Sequence, residues 1–264
     1  MIRVHRFRYL GRKGSMKAVK FKLAQYVNTS DIKLPVSFGH VRESTTYGML
    51  GNDEAGDCVI ADLAHSVMIR CQATRRAVPP FTTSSTLDTY SKITGYDPKK
   101  VDYQGNNPTD QGTDMVTAAA WARDKGIPDA TGELHKIKAY GEIAFRDWDE
   151  LIKAIYLFGT VSLGIMLPQS ASDQFDRMVP WTITGDGSII GGHAITACGK
   201  NSAGFLVALT WGRTTAISRQ FIERYLDQGI VSLSPEYLKD TGHSPELFDE
   251  AQLTTDLASL TRTV

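Results

Sequence analysis

Residues 51–67, GNDEAGDCVIADLAHSV, set a lone cysteine between a turn rich in glycine and acids and the start of a helix. A structural thiol needs only an apolar face. At the first turn of a helix, Cys58 instead meets unpaired backbone N–H groups and the positive end of the dipole, and both favour a thiolate. The position predicts a nucleophile; the other reading is a small core residue that begins a helix.

Outward from Cys58, helix signals dominate the first half of the chain. Val59, Leu63, Val67 and Ile69 give residues 58–72 an apolar face, and Ser85 with Asp88 reads as a capping box before a helix that Gly95 stops. Thr113 reads as the cap of DMVTAAAWARDK, which ends at Gly126. After residue 136 the pattern turns to strands, KIKAYGEI, GTVSLGIML, HAITACGK and GFLVALTWG, with a helix WDELIKAIYLF capped by Asp147 and Glu150. SRQFIERYLDQ reads as a helix stopped by Gly229, and another is expected from Ser244. This order predicts an α+β protein: a basic arm and extended segment over 1–44, a helical lobe over 45–135, and a β-rich lobe with C-terminal helices over 136–264. A site is expected between the lobes.

With 42% hydrophobic and 22% charged residues, the 264-residue chain can bury a sizeable core. No apolar run approaches the roughly 18–20 residues of a membrane span, and the start lacks a secretory apolar core, so no membrane partner and a cytoplasmic or virion-associated location are expected. Cys58, Cys71 and Cys198 form neither a disulfide framework nor a metal-ligand pattern, so a reducing compartment is expected, and no metal or cofactor is implied. Basic and acidic residues balance at 29 each, yet Arg3, Arg6, Arg8, Arg12 and Lys13 crowd the start without an acid. This arm reads as a solvated extension that buries little, as upstream of a true start at Met16, or as a contact for nucleic acid or an assembly partner.

A cysteine nucleophile needs a histidine to take its proton and donors for the oxyanion. His193 is the best partner, because two glycines precede it in IIGGHAITACGK and let another segment approach the backbone. A histidine satisfied at a strand end is the alternative. His65 lies about two turns along the same helix as Cys58 and cannot reach the thiol.

In their shared order these pieces resemble the papain-like cysteine peptidases. The likeness runs over about residues 45–235, from the Gly56–Cys58 turn through DQGTDMVTAAAWARDKGI and WDELIKAIYLFGTVSLGIML to GGHAITACGKNSAGFLVALTWG. It implies a two-lobed fold, a Cys58–His193 pair, Asn52 as oxyanion donor in place of the family's glutamine, and Trp211 as the tryptophan that shelters the pair. A peptide or protein substrate in the cleft follows from it. The family's histidine-orienting asparagine falls at Leu209, which cannot accept an imidazole N–H; Thr210 beside it is expected to face away unless a bulge or register change turns it. The expectation is a thiol hydrolase with a dyad. Its alternative is an inactive papain-like scaffold serving as a structural or binding component, for example in a bacteriophage particle.

Overall fold

A computed structural model of the chain describes residues 8–14, 19, 22 and 32–238. The helix expected from Ser244, the residues before Arg8 and Met16 lie outside these. The strands are β1 (Arg12–Lys13), β2 (Phe38–Gly39), β3 (Thr113–Asp114), β4 (Ile127–Pro128), β5 (Leu134–His135), β6 (Ala139–Glu142), β7 (Val161–Pro168), β8 (Ile189–Lys200), β9 (Leu206–Thr210), β10 (Arg213–Ile217) and β11 (Leu226–Leu233). The helices are α1 (Cys58–Ala73), α2 (Thr83–Thr94), α3 (Met115–Asp124), α4 (Trp148–Phe158), α5 (Gln169–Asp176) and α6 (Arg219–Tyr225). None of them is long and apolar enough to cross a membrane.

The α+β class is as expected. Helices α1 to α3 precede a seven-stranded sheet ordered β10-β9-β8-β7-β11-β6, with β2 against the end of β8. Alternation along β8 sends neighbouring residues to two cores. Ile195 joins Leu151, Ile155, Leu163, Trp181 and Phe221 on one side. Ala194 joins Ile60, Ile69, Tyr90 and Met115 on the other.

Helix α1 is buried from Cys58 through Gln72, so it is not the one-sided amphipathic helix its sequence suggests. Its polar residues must then be satisfied inside. The Thr196 hydroxyl donates to Asp62 Oδ1 at 2.6 Å, His65 Nε2 lies 3.1 Å from the Gly48 carbonyl, and Tyr47 donates to Gln72 at 2.7 Å. Arg70 donates to the Ser232 hydroxyl at 2.8 Å and to the Phe158 carbonyl at 3.3 Å, which ties α1 to the sheet.

Three local expectations shift. The cap of α2 is Thr82, in a reciprocal box with Ser85, and the cap of α3 is Asp114, whose side chain accepts from Thr117. Thr82 and Asp114 each have extended backbone and accept from the N–H three residues on, as a cap requires. Helix α6 ends at Tyr225, and residues 226–233 continue as β11 straight through Gly229. Ile143 packs where a Gly229 side chain would be, so this glycine admits a neighbour rather than stopping a helix.

Candidate functional site

Cys58 opens α1 behind a turn in which Gly51 has φ +94° and Leu50 φ +53°. The Gly56 N–H donates to both carboxylate oxygens of Asp110, at 3.1 and 3.0 Å; Asp110 also accepts from Tyr90, whose hydroxyl in turn accepts from Gly112 N–H at 2.7 Å. Two glycines, Gly56 and Gly112, thereby form opposing walls of a slit beside the thiol. The backbone at Ala194 and at Gly11 lies close enough to the sulfur to favour its ionised form.

His193 is fully buried on β8, one residue before Ala194. Its ring stacks on Trp211, with centroids 4.4 Å apart and planes 19° from parallel. Its Nε2 lies 2.7 Å from the Thr210 hydroxyl. Nδ1 has no hydrogen-bond partner among the described residues. With Nε2–H donating to Thr210, Nδ1 carries the free lone pair.

Thr210 therefore does not face away, and the reason is register. Leu209 pairs across the ladder with Thr196, so it shares the face of Thr196 and Ala194 and enters the helical core. Thr210 falls on the opposite face, diagonal to His193. No bulge is needed between them.

The remaining occupant of the site is the chain's own start. Asn52 Nδ2 donates to the Tyr9 carbonyl at 2.9 Å, and the Tyr9 N–H returns a bond to the Asn52 carbonyl at 3.0 Å. Gly11 accepts from Thr113 N–H at 2.8 Å, and β1 continues parallel to β3. A Cβ on Gly11 would run into the Gly56 carbonyl, and one on Gly112 into the Gly11 carbonyl. The glycines before His193 act as their positions suggested, with the arm as the approaching segment: Leu10 covers Gly191 and the Arg12 carbonyl covers Gly192. Arg8 ion-pairs with Asp176 and lies over the Trp211 ring, 4.6 Å from its centroid. Arg8 and Arg12, read as part of a solvated arm, are bound inside the cleft.

Closing the site in this way dries it. Burial pushes the Cys58 thiol up to about 12, reinforced by the carboxylates of Asp57 and Asp62 and only partly opposed by the backbone at Ala194 and Gly11. This reverses the thiolate preference of the helix start, because desolvation outweighs the dipole. Burial, with Arg8 nearby, lowers His193 to about 3. Burial thus favours the neutral form of each. Asp57 itself is wholly buried, with both carboxylate oxygens lacking hydrogen-bond partners among the described residues, and burial with the charge of Asp110 raises it well above the usual carboxylate range.

Asp129, Glu133 and His135 have ligand-type atoms within 4.8 Å of one another on the β4–β5 hairpin. His135 is flanked by Glu236 at 3.3 Å and Asp129 at 3.6 Å.

No protein-family model matches the chain, and no curated protein matches it in sequence. Solved structures do. Xylellain, a cysteine protease from Xylella fastidiosa, matches with a TM-score of 0.62 at 13% identity, over 89% of this chain and 99% of that one. Procathepsin B S9 from Trypanosoma congolense matches with 0.56 at 13% identity, over 86% and 87%. The Carica candamarcensis cysteine protease CMS1MS2 matches with 0.53 at 15% identity, over 76% and 99%. At such identities the likeness is one of architecture, and on it this chain has the papain-like cysteine protease fold.

Proposed function

We propose that the protein is a thiol hydrolase acting on peptides, or transferring their acyl groups, with Cys58 as nucleophile and His193 as base. The observation that carries this reading is the bond from Asn52 Nδ2 to the Tyr9 carbonyl: an amide donor six residues before the thiol holds a main-chain carbonyl oxygen. His193 Nδ1 takes the thiol proton, the sulfur attacks a substrate carbonyl, and the oxyanion is held by the Cys58 N–H and Asn52. His193 then protonates the departing amine, and water or another nucleophile releases the acyl group. Thr210 and Trp211 keep the imidazole in its tautomer and plane.

The seated arm runs from Arg8, which lies over Trp211, to Arg12, whose carbonyl lies against Gly192.

A filled cleft equally favours an inactive scaffold whose arm is a permanent part of its core. The test is alkylation of the full chain by iodoacetamide at pH 6, in the parent and in Gly11→Val, which displaces the arm from the Gly56 wall. The hydrolase reading expects Cys58 to label rapidly in Gly11→Val, ahead of Cys71 and Cys198, and slowly again once His193→Ala is added. Labelling in Gly11→Val that follows an ordinary free-thiol profile and ignores His193→Ala would leave the scaffold reading standing.

A further inference from the structure

The β4–β5 hairpin closes on itself through Asp129. Its Oδ1 accepts from the Thr131 N–H at 2.8 Å, from the Thr131 hydroxyl at 2.7 Å and from the Glu133 N–H at 3.1 Å. The turn thus occupies Oδ1, and Oδ2 is left to face His135 Nε2 at 3.6 Å. Asp129 and His135 are deep, with side chains 2% and 6% exposed, yet Nε2 has no hydrogen-bond partner among the described residues. A ring nitrogen buried in this way calls for a reason. The other nitrogen, Nδ1, faces Glu236 Oε1 at 3.3 Å, and the Ser234 hydroxyl donates to Oε2 of the same carboxylate. Glu133, exposed and two residues before His135, brings a third ligand-type atom to within 4.8 Å of those of Asp129 and His135.

The separation of Nε2 from Oδ2 suits two ligands of one ion better than a hydrogen bond. An N–H···O bond brings nitrogen and oxygen to about 2.7–3.2 Å. Two ligands of a tetrahedral ion, each about 2.0–2.1 Å from it, stand about 3.3 Å apart. A carboxylate behind the far ring nitrogen, as Glu236 stands behind Nδ1, holds a ligating imidazole in orientation and tautomer. We infer that Asp129, Glu133 and His135 bind one divalent transition-metal ion, with zinc the ion that one nitrogen and two carboxylate oxygens suit, Glu236 orienting the imidazole and water in the fourth place on the open side at Glu133. Calcium and magnesium, which take oxygen ligands, are disfavoured by the nitrogen. The bound ion would join the hairpin to the segment that follows β11. Cysteine spacing does not show this site, because no thiol belongs to it. It uses no residue of the thiol cleft and stands whether or not the protein is a hydrolase.

The full-length protein, stripped with EDTA and dialysed, is titrated with Zn²⁺ by calorimetry and with Co²⁺ by absorption. One equivalent of each should bind, and the Co²⁺ form should show visible d–d bands without the near-ultraviolet charge-transfer band of a thiolate, which separates this site from Cys58, Cys71 and Cys198. Millimolar Mg²⁺ or Ca²⁺ should not displace the ion. Glu133→Gln, a change at an exposed residue that leaves the fold intact, should weaken binding about tenfold or more; Glu236→Gln should weaken it about 10- to 100-fold, and His135→Gln should abolish it. Zn²⁺ should raise the Tm of the parent and leave that of His135→Gln where it was. No binding, a thiolate band from the first equivalent, or an affinity that Glu133→Gln and His135→Gln leave unmoved would overturn the inference.

Discussion

The Thr210 hydroxyl lies 2.7 Å from Nε2 of His193 and takes the place that Leu209 leaves empty in the sequence pattern. If this contact fixes the imidazole, Thr210→Val lowers kcat of the arm-displaced Gly11→Val protein by about 10- to 100-fold, as for other groups that orient a histidine. Thr210→Ser restores most of it. Leu209→Asn should bring no gain, since Leu209 faces the other core. It should cost about 3 kcal/mol by burying an amide among apolar side chains, read from urea denaturation.

Burial sets the ionisation of the thiol. With the pair buried, Cys58 at about 12 leaves a thiolate fraction of about 10⁻⁵ at pH 7. Gly11→Val admits water and removes Arg8 from above Trp211, so both shifts relax: the thiol falls towards the roughly 3.5–7.5 of activated cysteines and His193 rises. The alkylation profile of Cys58 against pH should move to lower pH by several units. The same variant should lower Tm by a few degrees, because Leu10, Gly11 and Arg12 lose buried contacts. A short charged arm with free ends would leave Tm unchanged.

Asp62 gives stability a definite slope with pH. Burial raises its carboxyl from 3.8 to about 7, so the folded state prefers the protonated form and the unfolded chain does not. Its contribution is whole below about pH 4 and is lost as pH rises to 7, at about 1.4 kcal/mol for each unit. Asp62→Asn removes the titration while keeping an acceptor for Thr196. Its stability relative to the parent should therefore climb between pH 4 and 7 and level off above, measured by urea midpoints at fixed ionic strength.

His65 slopes the other way. Burial lowers it to about 4, so protons bind the unfolded chain first as pH falls below 6.5. Stability is lost from pH 6.5 down to 4. His65→Gln, which keeps a donor for the Gly48 carbonyl, should flatten that part of the curve.

Arg70 has no room for retreat. It is 2% exposed, and its guanidinium donates to Ser232 and Phe158 on two other elements. Arg70→Ala strands those acceptors and should cost about 3–5 kcal/mol. Arg70→Met, which fills the volume without leaving a charge, should cost less.

The sequence showed much of this in advance, and its failures have local causes. Cys58 at a helix start, Asp147 as a cap, the strands around His193 and the order of the lobes are written in short-range signals: capping oxygens, β-branched runs and glycine pairs. Thr210 was misjudged because strand parity depends on which residues pair across the ladder, and Leu209 opposite Thr196 is a fact of register. Asp227, the ion-pair partner of Arg12, was invisible for the same reason, as a bulge belongs to two strands at once. The arm was misread because Arg8 and Arg12 look like solvated charge until Trp211, Asp176 and Asp227 are placed around them. Gly11 was the overlooked sign: a residue without a side chain amid bulky neighbours.

The slit between Gly56 and Gly112 is occupied by a segment of the same molecule, and this governs how occupancy responds to amount. A separate peptide leaves its site on dilution. A tethered one does not, because its local concentration is set by the chain that carries it. The closed state should thus persist unchanged from dilute to crowded protein. A single cut between Gly14 and Ile32 would turn a first-order equilibrium into a second-order one, making the same contacts sensitive to dilution for the first time.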